Sequence, residues 1–375
     1  MRISKGVGFF ERWWQDEYGI VTKNKMLESM DEQIETNVKR IKILYDRYGH
    51  LGLGEPDPDP WYEVPTYDAL ITVASSFTDI PPEWDDMTAS FCYDSRYSVW
   101  GGITDAGGIE RIKVPDWDDN PLVNEMLERY ERERNSSYIK EGKVTYPYTA
   151  MKFFNPITGV AHESVFYLSP LDMAPFLYGD TDFFAVMMDD DEFTFAVYDK
   201  CYEIATSYTD YMVKAFGIDA GKMGWMNIGG DYACLMSPAL YRKYVKPYDE
   251  RRSKGNNDFS INLHSCGASA HLYDVWREYP NRGSISQMQT RGIPGKLAHL
   301  RECLPDTLIC LALHQPQCDF ENIPAAEVER TVRGYAEEAG YENLQLDAYV
   351  VKSGENTDKN IAAFCNTIDA INEGR

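Results

Sequence analysis

From about Val144 onward, short apolar or aromatic runs alternate with longer amphipathic stretches, and this alternation constrains the fold more than any other feature of the 375-residue chain. Repeated strand and helix pairs are the pattern of βα units, whose strands lie parallel in one sheet with helices packed outside it. Strands are predicted in AMKFFNP (150–156), MGWMNIG (223–229), FSINLHS (259–265), SISQMQ (284–289), TLICLALH (307–314) and LQLDAYVV (344–351). Helices are predicted between and after them at 191–217, 238–252, 267–279, 296–303, 325–340 and 358–372. Six such units, with one or two more hidden earlier, predict an α/β chain folded as a single (β/α)8 TIM barrel; a doubly wound sheet is the alternative.

The N-terminal part reads differently. After Asn24, Met26, Met30, Ile34, Val38 and Ile41 recur at three- and four-residue spacing, which predicts a helix stopped by Gly49. The stretch LGLGEPDPDPWYEVP then alternates acidic residues with proline and reads as a loop. Residues 1–66 are therefore assigned to an N-terminal helical segment with an acidic, Pro-rich loop, and 67–375 to the barrel. Residues 79–120 lack a clear period and receive no assignment.

Charge narrows the partners. With 60 Asp and Glu against 37 Lys and Arg, the formal net charge is −23. Binding to nucleic acid or to an anionic membrane is driven by basic side chains that neutralise phosphates, so neither partner is expected. No stretch has the roughly 18 uninterrupted apolar residues of a membrane span, and the N-terminus is charged where a signal peptide is apolar. A cytoplasmic protein is expected. Its 8 cysteines are too sparse for a disulfide framework and read as free thiols or metal ligands.

In a barrel the C-terminal ends of the strands face the active site. Those positions hold His264, Ser265 and Cys266 after one strand, Gln287 and Gln289 in the next, and His314 in the third. The last strand carries Asp347 and Tyr349, and Asp231 follows MNIGG. Strand alternation sets His264 and Cys266 on one face, offering an imidazole and a thiolate to a borderline-soft cation. The competing reading of His264 is a hydrogen-bonded core histidine, and that of Cys266 a small buried hydrophobe. Asp231 reads as a catalytic or substrate-binding carboxylate, or else as a cap ahead of the helix that Ser237 and Pro238 begin. Gln287, Gln289 and Tyr349 are the candidate substrate contacts.

Three stretches taken together, FLYGDTDFFAVMMDDDEFTFAVYDKCYEIATSYTDYMVKAFG, IGGDYACLMSPALYRKYVKPYDERR and INLHSCGASAHLYDVW, resemble the uroporphyrinogen decarboxylase superfamily in order and spacing. The resemblance covers roughly residues 144–371 and implies a (β/α)8 barrel. That superfamily also holds zinc-dependent methyltransferases that move methyl groups between corrinoid proteins and small acceptors. Its decarboxylase branch carries an N-terminal Arg-rich segment that holds a polycarboxylate. Here FERWWQDEYG offers Arg12 and an acidic cluster instead, so a polyanionic porphyrinogen would meet repulsion.

The methyltransferase branch is marked by His-x-Cys at one strand end, matched by His264 and Cys266, and by a second Cys near the last strand. Tyr349 stands about where that second thiolate belongs. The resemblance therefore implies zinc at His264 and Cys266, with His314 the preferred third ligand and Asp347 or Cys318 the alternatives. The expected activity is zinc-dependent methyl transfer or demethylation between a small methylated substrate, such as an aromatic methyl ether, and a corrinoid carried by a partner protein. A metal-free decarboxylase and a catalytically lapsed ligand-binding barrel are the other readings.

Overall fold

The computed structural model describes residues 3–22, 24, 26–60, 67–85, 90–93, 98–133, 153–155, 160–162, 168–217, 225–254, 260–265, 267–280, 282–313 and 320–374. Among them, six strands form one all-parallel sheet. They are β1 (Ser4–Phe9), β6 (Trp225–Gly229), β7 (Ser260–His264), β8 (Ile285–Arg291), β9 (Leu308–Ala312) and β10 (Leu344–Val350). The sheet order is β1-β10-β9-β8-β7-β6, so β1 lies beside β10. Two antiparallel pairs stand apart from this sheet: β2 (Glu83–Asp85) with β3 (Ser90–Cys92), and β4 (Phe153–Asn155) with β5 (Val160–His162).

The five C-terminal strands and their helices fall where the alternation predicts them. Two expectations change. The run AMKFFNP does not join the parallel sheet among the described residues, because Phe153 to Asn155 pair locally with Val160 to His162. The sheet instead takes β1 from the segment assigned to the N-terminal extension. Closure into a ring is not seen either, since among the described residues no strand joins β1 to β6.

Side-chain alternation explains how the sheet holds together. In β10, Leu344, Leu346, Ala348 and Val350 are fully buried, while Gln345, Asp347 and Tyr349 are half-buried. The apolar set faces the helix layer, where each fully buried aliphatic side chain stabilises by about 1.5–3 kcal/mol. On β1, Lys5 reaches Asp369 of helix Thr357–Asn372 at 2.7 Å, and Phe9 meets Trp13 of helix Glu11–Tyr18 with ring centroids 4.4 Å apart. The opposite face of β1 is Ser4, Gly6 and Gly8. A Cβ on Gly6 would lie 2.3 Å from Asp347 Oδ1, and one on Gly8 would lie 2.9 Å from Tyr349. Glycine is thus required there by the polar side chains of the neighbouring strand.

The helices form for local reasons. Helix Met30–Tyr48 begins at a reciprocal cap, in which Ser29 accepts from the Glu32 N–H and Glu32 accepts from the Ser29 N–H. It starts four residues later than the periodicity predicts, because Met26 belongs to the preceding turn. Helix Asp191–Ala215 is capped by Asp190 and buries Phe193, Val197, Cys201, Ile204, Tyr208 and Met212 along one face. No helix among the described residues is long and apolar enough to cross a membrane.

Candidate functional site

The inner face of the sheet is polar, and its register sets which side chains meet. Gly229 of β6, His264 of β7, Gln289 of β8, Cys310 of β9 and Gln345 of β10 stand in one row of Cα partners. His264 and Gln289 are neighbours in that row, and His264 Nδ1 lies 2.9 Å from Gln289 Oε1. The Gln289 amide on one side of the ring and Asp231 on the other fix its orientation, with Nε2 facing Asp231 Oδ1 2.8 Å away.

Asp231 reaches this place because two glycines precede it. Gly229 adopts a positive φ of 82°, and a Cβ there would lie 2.5 Å from the backbone oxygen of His264. The chain therefore turns tightly across the end of β7, with the Gly230 N–H donating to His264 O at 3.0 Å. Gly230 also admits a second carboxylate, since its missing Cβ would sit 2.5 Å from Asp172 Oδ2. The short 3-10 helix Asp231–Leu235 starts at this turn and displays Asp231 to solvent with 63% of its side chain exposed.

Asp172 comes from the first turn of helix Pro170–Tyr178, which Ser169 caps. It accepts the Tyr232 N–H at 3.3 Å. Its pKa is pushed up to about 7, first by loss of solvent and then by the charge of Asp231. Asp68, the cap of helix Ala69–Ser75, also has its carboxyl raised, by desolvation first and by Asp231 last. One imidazole thus faces a set of carboxylates, an arrangement that attracts a cation or a proton and repels an anionic substrate.

Of the residues singled out from the sequence, the structure brings together Asp231, His264 and Gln289. Gln287 lies two residues earlier in β8 and pairs with Asn262 in register. Asp347 is not beside His264. It lies three strands away and one pleat further along, level with Ala312, where Gln345 Nε2 donates to it at 2.9 Å and burial raises its pKa. Tyr349 packs edge-on against Phe10, with ring centroids 5.9 Å apart. Cys266, His314 and Cys318 lie outside the described residues.

A solved structure of similar fold is a methyltransferase from Methanosarcina mazei. The likeness covers 99% of this chain and 94% of that chain with a TM-score of 0.57 and 13% sequence identity, and at that identity it speaks for the fold. No family model and no curated protein sequence matches the chain.

Asp172 went unnoticed in the sequence. It sits in the first turn of a helix, where an acidic residue is ordinary because it complements the helix dipole. Only the Gly229-Gly230 pair hinted that another group must approach the backbone closely.

Proposed function

We propose that the chain is a methyltransferase of the uroporphyrinogen decarboxylase superfamily, its sheet six strands of a (β/α)8 barrel. In this reading it moves a methyl group between a small methylated substrate and a corrinoid carried by a partner protein. The observation that carries it is the placement of His264, oriented by Gln289 at one nitrogen and facing Asp231 at the other, at the C-terminal ends of parallel strands. The extent of the likeness to the methanogen methyltransferase adds support.

A zinc ion suits this donor set. His264 Nε2 and Asp231 Oδ1 are hard and borderline donors already turned toward each other, and Cys266, two residues further on, is the thiolate of the set. His314 is the remaining ligand of the proposal. Bound zinc would supply Lewis-acid polarisation of an ether or thiol sulfur or oxygen. The chain's own side chains do the rest. Gln289 holds the imidazole in one orientation, as partners of metal-binding histidines do. Asp172, its carboxyl raised by burial and by the charge of Asp231, is the proton source for the oxygen that is left when the methyl departs to its nucleophile. The carbon–oxygen bond breaks with its electrons on oxygen, and that proton neutralises it.

The exposed carboxylate of Asp231 beside His264 disfavours the decarboxylase reading, because a porphyrinogen with many carboxylates would meet its charge. The test is metal analysis of the purified protein under reducing conditions, followed by an assay of methyl transfer from a panel of methyl ethers and methyl thioethers to cob(I)alamin. Stoichiometric zinc that falls sharply in Cys266→Ser, with methylcobalamin formation in the wild type alone, is expected. Full activity in Cys266→Ser, or uroporphyrinogen turnover on the order of 1 per second or faster, would overturn the reading.

A further inference from the structure

The helix layer outside the sheet holds a second set of metal-type donors that the site at His264 does not use. Helix Tyr273–Arg277 follows β7, and helix Leu297–Cys303 follows β8. His299 and Cys303 are four residues apart on the second helix and so share one of its faces. Asp274 projects from the first helix onto that face. His299 Nε2 lies 3.2 Å from Asp274 Oδ1. Cys303 Sγ lies 3.8 Å from the same nitrogen and 3.9 Å from the same oxygen.

We propose that Asp274, His299 and Cys303 form a zinc-binding site that ties these two helices together. Tetrahedral zinc with bonds of about 2.0–2.1 Å to nitrogen or oxygen and about 2.3 Å to sulfur requires ligand separations of roughly 3.3 Å between N and O and roughly 3.6 Å to sulfur. The three measured separations follow that pattern, the two sulfur edges being the longer ones. Three protein donors leave the fourth position for water.

A second observation concerns the other ring nitrogen. His299 Nδ1 faces Glu302 Oε2 at 3.6 Å, one turn along the same helix. A carboxylate beside the nitrogen that does not bind the metal helps to orient the ring. Behind the imidazole the ring of Tyr273 closes one side, with centroids 6.2 Å apart. Cys303 is buried while Asp274 and His299 are open to solvent, so an ion arriving from water meets the carboxylate and imidazole first and the thiolate last. The imidazole and thiolate select a borderline-soft divalent ion over magnesium or calcium. The short helix Tyr273–Arg277 is too brief to hold itself by backbone hydrogen bonds, and a cross-helix tie suits it.

The test uses the full chain carrying His264→Ala and Cys266→Ser, which silences the donors assigned to the other zinc, after stripping with a chelator. Titration with zinc alone against a competing chromogenic chelator is expected to show one equivalent bound. Adding His299→Asn, at a half-exposed position, or Asp274→Asn is expected to weaken that binding by roughly 100-fold or more, since a direct ligand counts for at least as much as the partner behind it. Cobalt in place of zinc is expected to give a thiolate-to-cobalt charge-transfer absorption that Cys303→Ser abolishes. Zinc affinity unchanged by both His299→Asn and Asp274→Asn, in variants shown to be folded by circular dichroism, would overturn the proposal. So would cobalt binding without the charge-transfer absorption. Failure of the methyl-transfer reading would leave this site untouched, because the two rest on different residues.

Discussion

Two aspartates flank the Gly229-Gly230 turn, and the pKa of each is pushed up to about 7 with loss of solvent as the largest cause. Their surroundings differ. Asp249 is almost fully buried, and it accepts from Gly229 N at 3.4 Å, from Tyr279 Oη at 2.6 Å and from Tyr241 Oη at 3.2 Å. Every donor there stabilises its charge, and burial still dominates. Asp172 accepts from the backbone N–H groups of Asp231 and Tyr232 and faces the charge of Asp231 beside His264. A raised carboxylate therefore does not mark a functional site by itself; the charged groups around it do. Asp249 fastens a helix to β6, and Asp172 lies within electrostatic reach of an imidazole that is partly open to solvent.

The most severe way to test that contrast is to remove the imidazole. His264→Ala is expected to lower methyl transfer by about 100- to 1000-fold, in line with loss of one positioned group at a reaction centre. Steady-state rates with a saturating methyl donor would show it, and a fall of less than tenfold would place the chemistry elsewhere.

The second comparison sets Asp172→Asn against Asp249→Asn. If Asp172 supplies a proton, activity declines as pH rises through about 7, and Asp172→Asn removes that limb of the pH–rate profile while Asp249→Asn keeps it. Stability is where Asp249 shows its own pH dependence. The folded protein holds the Asp249 proton to a higher pH than the unfolded chain does, so between about pH 4 and 7 the unfolded state binds fewer protons. Stability therefore falls as pH rises across that window, by up to about 1.4 kcal/mol per pH unit. Asp249→Asn should flatten this slope in chemical denaturation measured at several pH values; an unchanged slope would show that Asp249 titrates normally.

Asp347 extends the comparison to a third raised carboxylate, held by Gln345 and pressed against Gly6. Gly6→Ala forces that carboxylate aside and is expected to cost about 1–3 kcal/mol, as overpacking does. Denaturation midpoints would register the loss, while methyl transfer should change little, because Asp347 is three strands from His264.

What could be read from the sequence follows the range of the interactions involved. The helices at 191–215 and 325–339 announce themselves through spacing within a few residues, and Gly340 ends the second in a left-handed conformation with φ of 82°. Asp231, His264 and Gln289 were found because strand ends are the places to look for chemistry. The strand Ser4–Phe9 escaped notice, since Gly6 and Gly8 are poor strand formers, and the reason for them lies in Asp347 and Tyr349 far along the chain. For the same reason Phe153 and Phe154 looked like a sheet strand, whereas their partners lie only a few residues away. Asp347 was an alternative metal ligand because the last strand is where the resemblance places a second thiolate, and what the sequence does not show is that Gln345 Nε2 donates to it from the same strand.

The pairing of β1 with β10 also sets a clock. Ser4 meets Gln345, so roughly 340 residues separate the two halves of one parallel ladder. A ribosome adding about 5–20 residues per second leaves the first strand waiting roughly 17 to 70 s for its partner. During that time Val7 and Phe9 have no sheet to cover their neighbours, and the backbone of β1 has no parallel strand to bond with. The newborn chain thus carries β1 unpaired across that interval, and β10 is the segment that secures it.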